Sequence, residues 1–72
     1  MQLNLEHTNN GDLILTTEKG RRVIWCGEQQ QARCLLLSKA TNTWREVELF
    51  SALHIAVKWL AVQESRQAKQ LT

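Results

Sequence analysis

The sequence predicts an α+β fold, in which a four-stranded antiparallel β-meander is followed by one long C-terminal α-helix that packs on one face of the sheet. Four short apolar segments follow each other closely enough to form a meander. Two of their connections end in a glycine, as tight hairpin loops do. A long segment that is apolar on most sides then begins with a helix-capping pattern.

The 72 residues are expected to form a single domain, with the meander in residues 1–40, the helix in 43–67 and a tail in 68–72. The composition is 43% hydrophobic and 22% charged with no proline, which is typical of a globular protein and not of a disordered one. A domain this small buries only roughly 60% of its unfolded surface, so a partner that covers more of it would add stability.

The four predicted strands are short apolar runs bounded by polar or glycine-containing connections. They are LNLEH at 3–7, DLILTT at 12–17, RVIWC at 22–26 and RCLLLSK at 33–39. The last of these contains CLLL, which is apolar on both faces, so its orientation stays open. Such a strand is expected to be covered on both sides, by the helix, a neighbouring strand or a second copy of the chain.

The first two connections, NNG and EKG, predict three-residue hairpin loops with Gly11 and Gly20 in the left-handed conformation. In the register that we expect, Leu5 faces Thr17 and Leu15 faces Val23. One face of the sheet then collects the apolar residues Leu3, Leu5, Leu13, Leu15, Val23 and Trp25. The third connection, GEQQQA, is longer and polar. If it closes symmetrically about residue 30, Cys26 and Cys34 become cross-strand neighbours.

The predicted helix begins at a capping box, TWRE, in which Thr43 and Glu46 satisfy backbone amides of the first turn. We expect it to run from Trp44 to about Gln67. Its sheet-facing stripe has helical spacing and contains Leu49, Phe50, Leu53, Val57 and Leu60.

A second apolar stripe on the back of this helix is the strongest feature of the sequence. It contains Trp44, Ile55, Trp59 and Val62. Four strands and one helix leave nothing to cover it, so it predicts an interface with a protein partner. The simplest partner is an identical copy, which gives a homodimer. Two monomeric alternatives stay open: a tryptophan that lies along a sheet edge or beneath the GEQQQA loop, and a polar tail that folds back.

The residues that most often carry chemistry are isolated in the sequence. His7, Cys26, Cys34 and His54 lack the paired spacing of zinc ligands, so we expect no metal and no other cofactor. No nucleophile, base and orienting group are spaced as a catalytic set, and we expect that the protein is not an enzyme. The cysteines are expected to be small, buried, reduced side chains.

A weaker pattern favours nucleic-acid binding. Basic residues cluster at the second hairpin and flank the fourth strand, where they are able to contact phosphates. They are Lys19, Arg21, Arg22, Arg33 and Lys39. A solvated hairpin tip is the simpler explanation of them, and the net charge is only +2. The order of four strands and a helix resembles the layout of the positive-cofactor-4 class of transcriptional coactivators. That resemblance of layout implies a dimer that binds single-stranded DNA, and no residue motif carries it.

These observations together predict a small non-enzymatic binding or regulatory module that acts through protein–protein association as a homodimer. The alternative is a nucleic-acid-binding dimer that uses the basic hairpin edge. The amino terminus has no basic start followed by an apolar run, so we expect no signal peptide and a cytoplasmic protein. The longest apolar stretch, residues 49–62, is too short and too often interrupted to span a membrane.

Overall fold

A computed structural model describes the backbone of residues 2–70 and the side chains of residues 2–66. Within that part of the chain, a five-stranded antiparallel sheet with the strands in sequence order is followed by one helix. The elements are β1 (Leu3–His7), β2 (Leu13–Thr17), β3 (Arg21–Cys26), β4 (Gln31–Ser38), β5 (Thr43–Phe50) and α1 (Leu53–Gln70). The predicted α+β class with a C-terminal helix is confirmed, and the predicted number of four strands is wrong.

The fifth strand occupies the segment that was predicted to begin the helix. Thr43–Phe50 pairs with β4, so Thr43 does not cap a helix and Trp44 is not helical. Asn42 adopts a left-handed conformation with φ of 56° and donates its amide hydrogen to the Ser38 carbonyl at 2.7 Å, which closes a hairpin. Threonine, tryptophan and valine are also better strand formers than helix formers. A strand pairing therefore replaced the helix turn that the capping pattern predicted.

The two glycine hairpins form as three-residue loops, with Gly11 at φ of 86° and Gly20 at φ of 90°. Both close in the same way, because the hydroxyl of a threonine before the loop accepts a hydrogen bond from the residue after the glycine. Thr8 accepts from the Asp12 amide at 3.0 Å and Thr17 from the Arg21 amide at 3.1 Å.

The register of the second hairpin is as predicted, with Leu15 opposite Val23. The register of the first is shifted by two residues, because Leu5 lies opposite Leu15 rather than Thr17. The three-residue loop over residues 9–11 is flanked by Thr8 and Asp12, and the Thr8 amide donates to the Asp12 carbonyl at 3.0 Å. This pairing of Thr8 with Asp12 sets the observed register. A shift of two residues leaves every side chain on its predicted face.

The third hairpin does not bring the cysteines together. Its loop spans residues 27–30, so Cys26 lies opposite Gln31 while Cys34 lies opposite Val23. Both thiols are free. In β4, whose orientation the sequence left open, Cys34 faces the helix and Leu35 faces the other side of the sheet.

The core lies between the helix and strands β3, β4 and β5, on which α1 packs. Among the described residues, the helix makes no close contact with β1 or β2. The fully buried members of the core are Val23, Ala32, Cys34, Ala56 and Leu60. Leu15, Trp25, Phe50, Leu53 and Trp59 pack against them. Leu49 and Phe50, predicted for the helix, belong to β5 instead. The helix also runs past its predicted end to Gln70, so part of the predicted tail is helical and residues 71–72 lie outside the described residues.

Arg21 of β3 and Glu64 of α1 form an ion pair that ties the helix to the sheet. Both side chains are largely buried, with 14% and 8% of their surface exposed. A carboxylate buried at this depth is stable only beside a cation or several hydrogen-bond donors, so the pair specifies where the later turns of the helix sit on the sheet.

Candidate functional site

The helix-side surface of the first hairpin is apolar and open. Leu3 and Leu5 of β1 and Leu13 of β2 lie on the face of the sheet that carries α1, as their register with the core-packed Leu15 shows. Because α1 covers only β3, β4 and β5, no element of the described chain lies over them. We call these three residues the hairpin floor. Leu3 is 43% exposed and Leu5 is 54% exposed.

The outward side of the helix carries a second exposed apolar surface. Ile55 and Val62 stand two helical turns apart and are 41% and 47% exposed. We call this pair the outer stripe. Trp59, predicted with them, instead packs partly into the core. Trp44 lies on β5, so the four residues predicted as one interface do not form one surface.

The first hairpin and the outer side of the helix carry opposite net charge. Residues 2–18 contain three acids and no lysine or arginine: Glu6, Asp12 and Glu18. Among the helix side chains that the structure describes, Lys58 and Arg66 are exposed. The single acid in that range, Glu64, is buried against Arg21. The outer side of the helix is therefore basic and the first hairpin is acidic.

The opposite face of the sheet is partly covered by its own long side chains. The Arg22 guanidinium lies 4.1 Å from the centre of the Trp44 ring, and its Nε donates to the Thr16 hydroxyl at 3.0 Å. Leu35 lies between Arg22 and Glu46 in the sheet register and is only 8% exposed. Arginine stems cover apolar surface in this way while the charged head stays hydrated, so this face has less apolar surface left for a partner.

The five basic residues predicted to contact nucleic acid do not share one surface. Arg21 faces the helix and pairs with Glu64, so it is not available to a phosphate. Arg33 forms an ion pair with Glu46 at 2.6 Å. Arg22 is stacked on Trp44. The two lysines are brought together, because Lys19 and Lys39 line one cleft, which also contains Trp44.

Cys34 carries no reactive chemistry in this arrangement. Burial raises the pKa of the Cys34 thiol from 9.0 to about 11, and the negative charges of Glu48 and Glu46 add to the rise. A thiol with so high a pKa is protonated and unreactive at neutral pH. Among the described residues, no three histidine, cysteine or acidic side chains are grouped as metal ligands. No helix in the same part of the chain is long and apolar enough to cross a membrane.

The chain has no match among protein-family models, curated proteins or solved structures. The resemblance of layout to the transcriptional coactivators depended on four strands, and the fifth strand removes that agreement. The function must therefore be inferred from the surfaces of this molecule.

Sequence reasoning missed the hairpin floor because it placed Leu3 and Leu5 beneath the helix. A helix that began at Trp44 would have been long enough to extend over more of the sheet. The helix that forms begins at Leu53, after a fifth strand has widened the sheet on the side away from β1. The signal that would have revealed this is the hairpin-forming asparagine at position 42.

Proposed function

We propose that this protein is a non-enzymatic binding module that acts through protein–protein association, as a homodimer. One observation carries the proposal: four large apolar side chains are exposed on the helix side of the sheet, namely Leu3, Leu5, Ile55 and Val62. Single exposed apolar residues are common on soluble proteins. Four on one side of a 72-residue chain form an unusual concentration.

The energetic argument favours association. Complete burial of a leucine, isoleucine or valine side chain contributes about 1.5–3 kcal/mol, so each of these half-exposed side chains offers about 1 kcal/mol. A small domain has little stability of its own to spare, and oligomerisation is one of the usual ways in which such domains gain more. A partner that covers these residues therefore stabilises the fold as well as the complex.

The test is the solution mass of the unmodified protein, measured by light scattering over a dilution series. We expect twice the chain mass of 8.3 kDa at high concentration, with dissociation on dilution. Because dimerisation is linked to folding, thermal stability should fall on the same dilution. A chain mass that stays at the monomer value across the whole series contradicts the proposed homodimer.

A second candidate function is the binding of single-stranded nucleic acid. The observation that favours it is the cleft where Lys19 and Lys39 lie beside Trp44, which places two cations next to an aromatic ring. Single-strand sites combine these two features, since lysines attract the phosphates and aromatic rings stack on bases. The engagement of Arg21, Arg22 and Arg33 within the chain makes this the weaker candidate.

This candidate is tested by the fluorescence anisotropy of labelled single-stranded DNA and RNA at low salt. Binding through the cleft requires that the variant Lys19→Ala, Lys39→Ala binds about tenfold more weakly and shows a smaller dependence on salt. The matched control is Lys58→Ala, which removes an exposed lysine from the helix and should leave such binding unchanged. No change in anisotropy with the unmodified protein eliminates the nucleic-acid function.

A further inference from the structure

We infer that the homodimer is reciprocal, with the outer stripe of each helix packed on the hairpin floor of the other copy. This inference rests on the proposed homodimer and adds the surfaces that make it. Each chain offers one exposed apolar helix surface, Ile55 and Val62, and one exposed apolar sheet surface around Leu3 and Leu5. A two-fold axis that brings one such contact together makes the second automatically.

The dimensions of the two surfaces match. The hairpin floor is two strands wide, which is roughly 10 Å at the usual strand spacing, and its five-residue strands are about 17 Å long. An α-helix with its side chains is about 10 Å across, and the seven residue steps from Ile55 to Val62 rise about 10 Å. The uncovered width beside each helix is therefore the width that one further helix fills.

The available area is also close to what a stable dimer needs. A specific interface usually buries about 800 Å² of each partner. That is a modest part of the 5252 Å² accessible surface of this chain. The hairpin floor and the outer side of helix residues 53–66 together measure roughly 400 Å² in plan. Accessible area exceeds plan area because side chains project from both surfaces, so a reciprocal contact approaches the usual size.

Charge favours the same arrangement. Lys58 and Arg66 flank the outer stripe, while the hairpin that carries the floor has only acidic charges, at Glu6, Asp12 and Glu18. Docking the helix on the hairpin therefore brings together two regions of opposite net charge, although Glu6 and Asp12 alternate with the floor residues and lie on the other face of the sheet. Pairing helix with helix would bring the basic residues together, and pairing hairpin with hairpin would bring the acids together.

The experiment uses two charge variants of the full chain and their mixture. Leu5→Lys places a cation in the floor, and Ile55→Glu places an anion in the stripe. In a reciprocal dimer each variant alone spoils both contacts, so each should dissociate at least about tenfold more readily than the unmodified protein. A 1:1 mixture forms one intact contact and one Lys–Glu contact, so it should recover most of the lost affinity. This recovery requires that residue 5 of one chain meets residue 55 of the other.

The matched control is Leu49→Glu, because Leu49 is 50% exposed and lies opposite Arg33 in the register, away from the helix. It should keep the dimer mass. Circular dichroism of each variant separates loss of folding from loss of association, and an unfolded variant would not recover on mixing.

The outcomes separate the two proposals. If the unmodified protein is a monomer, the proposed homodimer itself fails. If it is a dimer and both charge variants stay dimeric, or if both dissociate and the mixture stays dissociated, the homodimer stands and the reciprocal docking is wrong. A dimer that only Leu49→Glu disrupts would place the interface on the opposite face of the sheet.

Discussion

The ion pair between Arg21 and Glu64 makes a sharp prediction about the stability of the fold. Glu64→Ala removes the carboxylate that pairs with the Arg21 guanidinium, whose side chain is only 14% exposed. Removal of one member of a buried ion pair usually costs about 3–5 kcal/mol, because the remaining charge stays desolvated. A chain of this length has a total stability of about 4–11 kcal/mol. The variant should therefore be marginally folded.

The assay is equilibrium unfolding in urea, followed by tryptophan fluorescence at one fixed chain concentration. Two further variants give the result its meaning. Ser65→Ala changes the neighbouring exposed position and should shift stability by less than about 0.5 kcal/mol. The double variant Arg21→Met, Glu64→Leu replaces both charges with apolar groups and should recover most of the lost stability. A loss below about 1 kcal/mol in Glu64→Ala would refute the reasoning, because it would mean that the guanidinium reaches water at no cost.

Three other predictions test the core, a turn and a thiol. Leu60→Ala, at a fully buried position, should lower the free energy of unfolding in urea by about 2–5 kcal/mol. Val62→Ala, at an exposed position, should lower it by less than about 1 kcal/mol in the monomer. Equal losses would mean that the helix is rotated from its described orientation. Gly20→Ala should lower the melting temperature more than Gly11→Ala in thermal melts. Both glycines have positive φ, so both substitutions strain the backbone. A Cβ at position 20 also meets a β4 side chain at 3.3 Å, whereas a Cβ at position 11 meets nothing within 4 Å. Cys34 should resist thiol reagents until the protein unfolds. The pKa of the Cys34 thiol is about 11 in the folded protein and 9.0 in the unfolded chain, so the unfolded chain loses the thiol proton at lower pH. The free energy of unfolding should therefore fall as pH rises from 9 to 11. The variant Cys34→Ala should lack this decrease.

Local chemistry made the first two hairpins predictable. Gly11 and Gly20 adopt the positive φ that their loops require, and the alternation of apolar residues placed Leu15 and Val23 correctly on the helix side. The threonine hydroxyls that close both loops were not predicted. They belong to a local pattern, since Thr8 and Thr17 each stand three residues before the glycine, so a sequence-based prediction can use them elsewhere.

The segment TWREVELF shows where local patterns fail. Its capping box and its charges near the supposed helix start agreed with each other, yet it pairs with β4 as a strand. Helix signals are worth on the order of 1 kcal/mol. Pairing as β5 instead covers the otherwise exposed edge of β4 along eight residues and packs Phe50 against the core, and this tertiary gain outweighs the local signals.

The sequence by itself determined the α+β class, the two glycine hairpins, the faces of the first three strands and the presence of more apolar surface than one small domain covers. Each of these follows from residue spacing or backbone preference within a few neighbours. The tertiary structure alone decided that Arg21 pairs with Glu64, that Lys19 and Lys39 share a cleft with Trp44, and that no described element covers the first hairpin. Each of these features joins residues that are far apart in the sequence, and it depends on which strand lies beside which turn of the helix. The packing of the whole chain selects that arrangement, because no local sequence pattern specifies it.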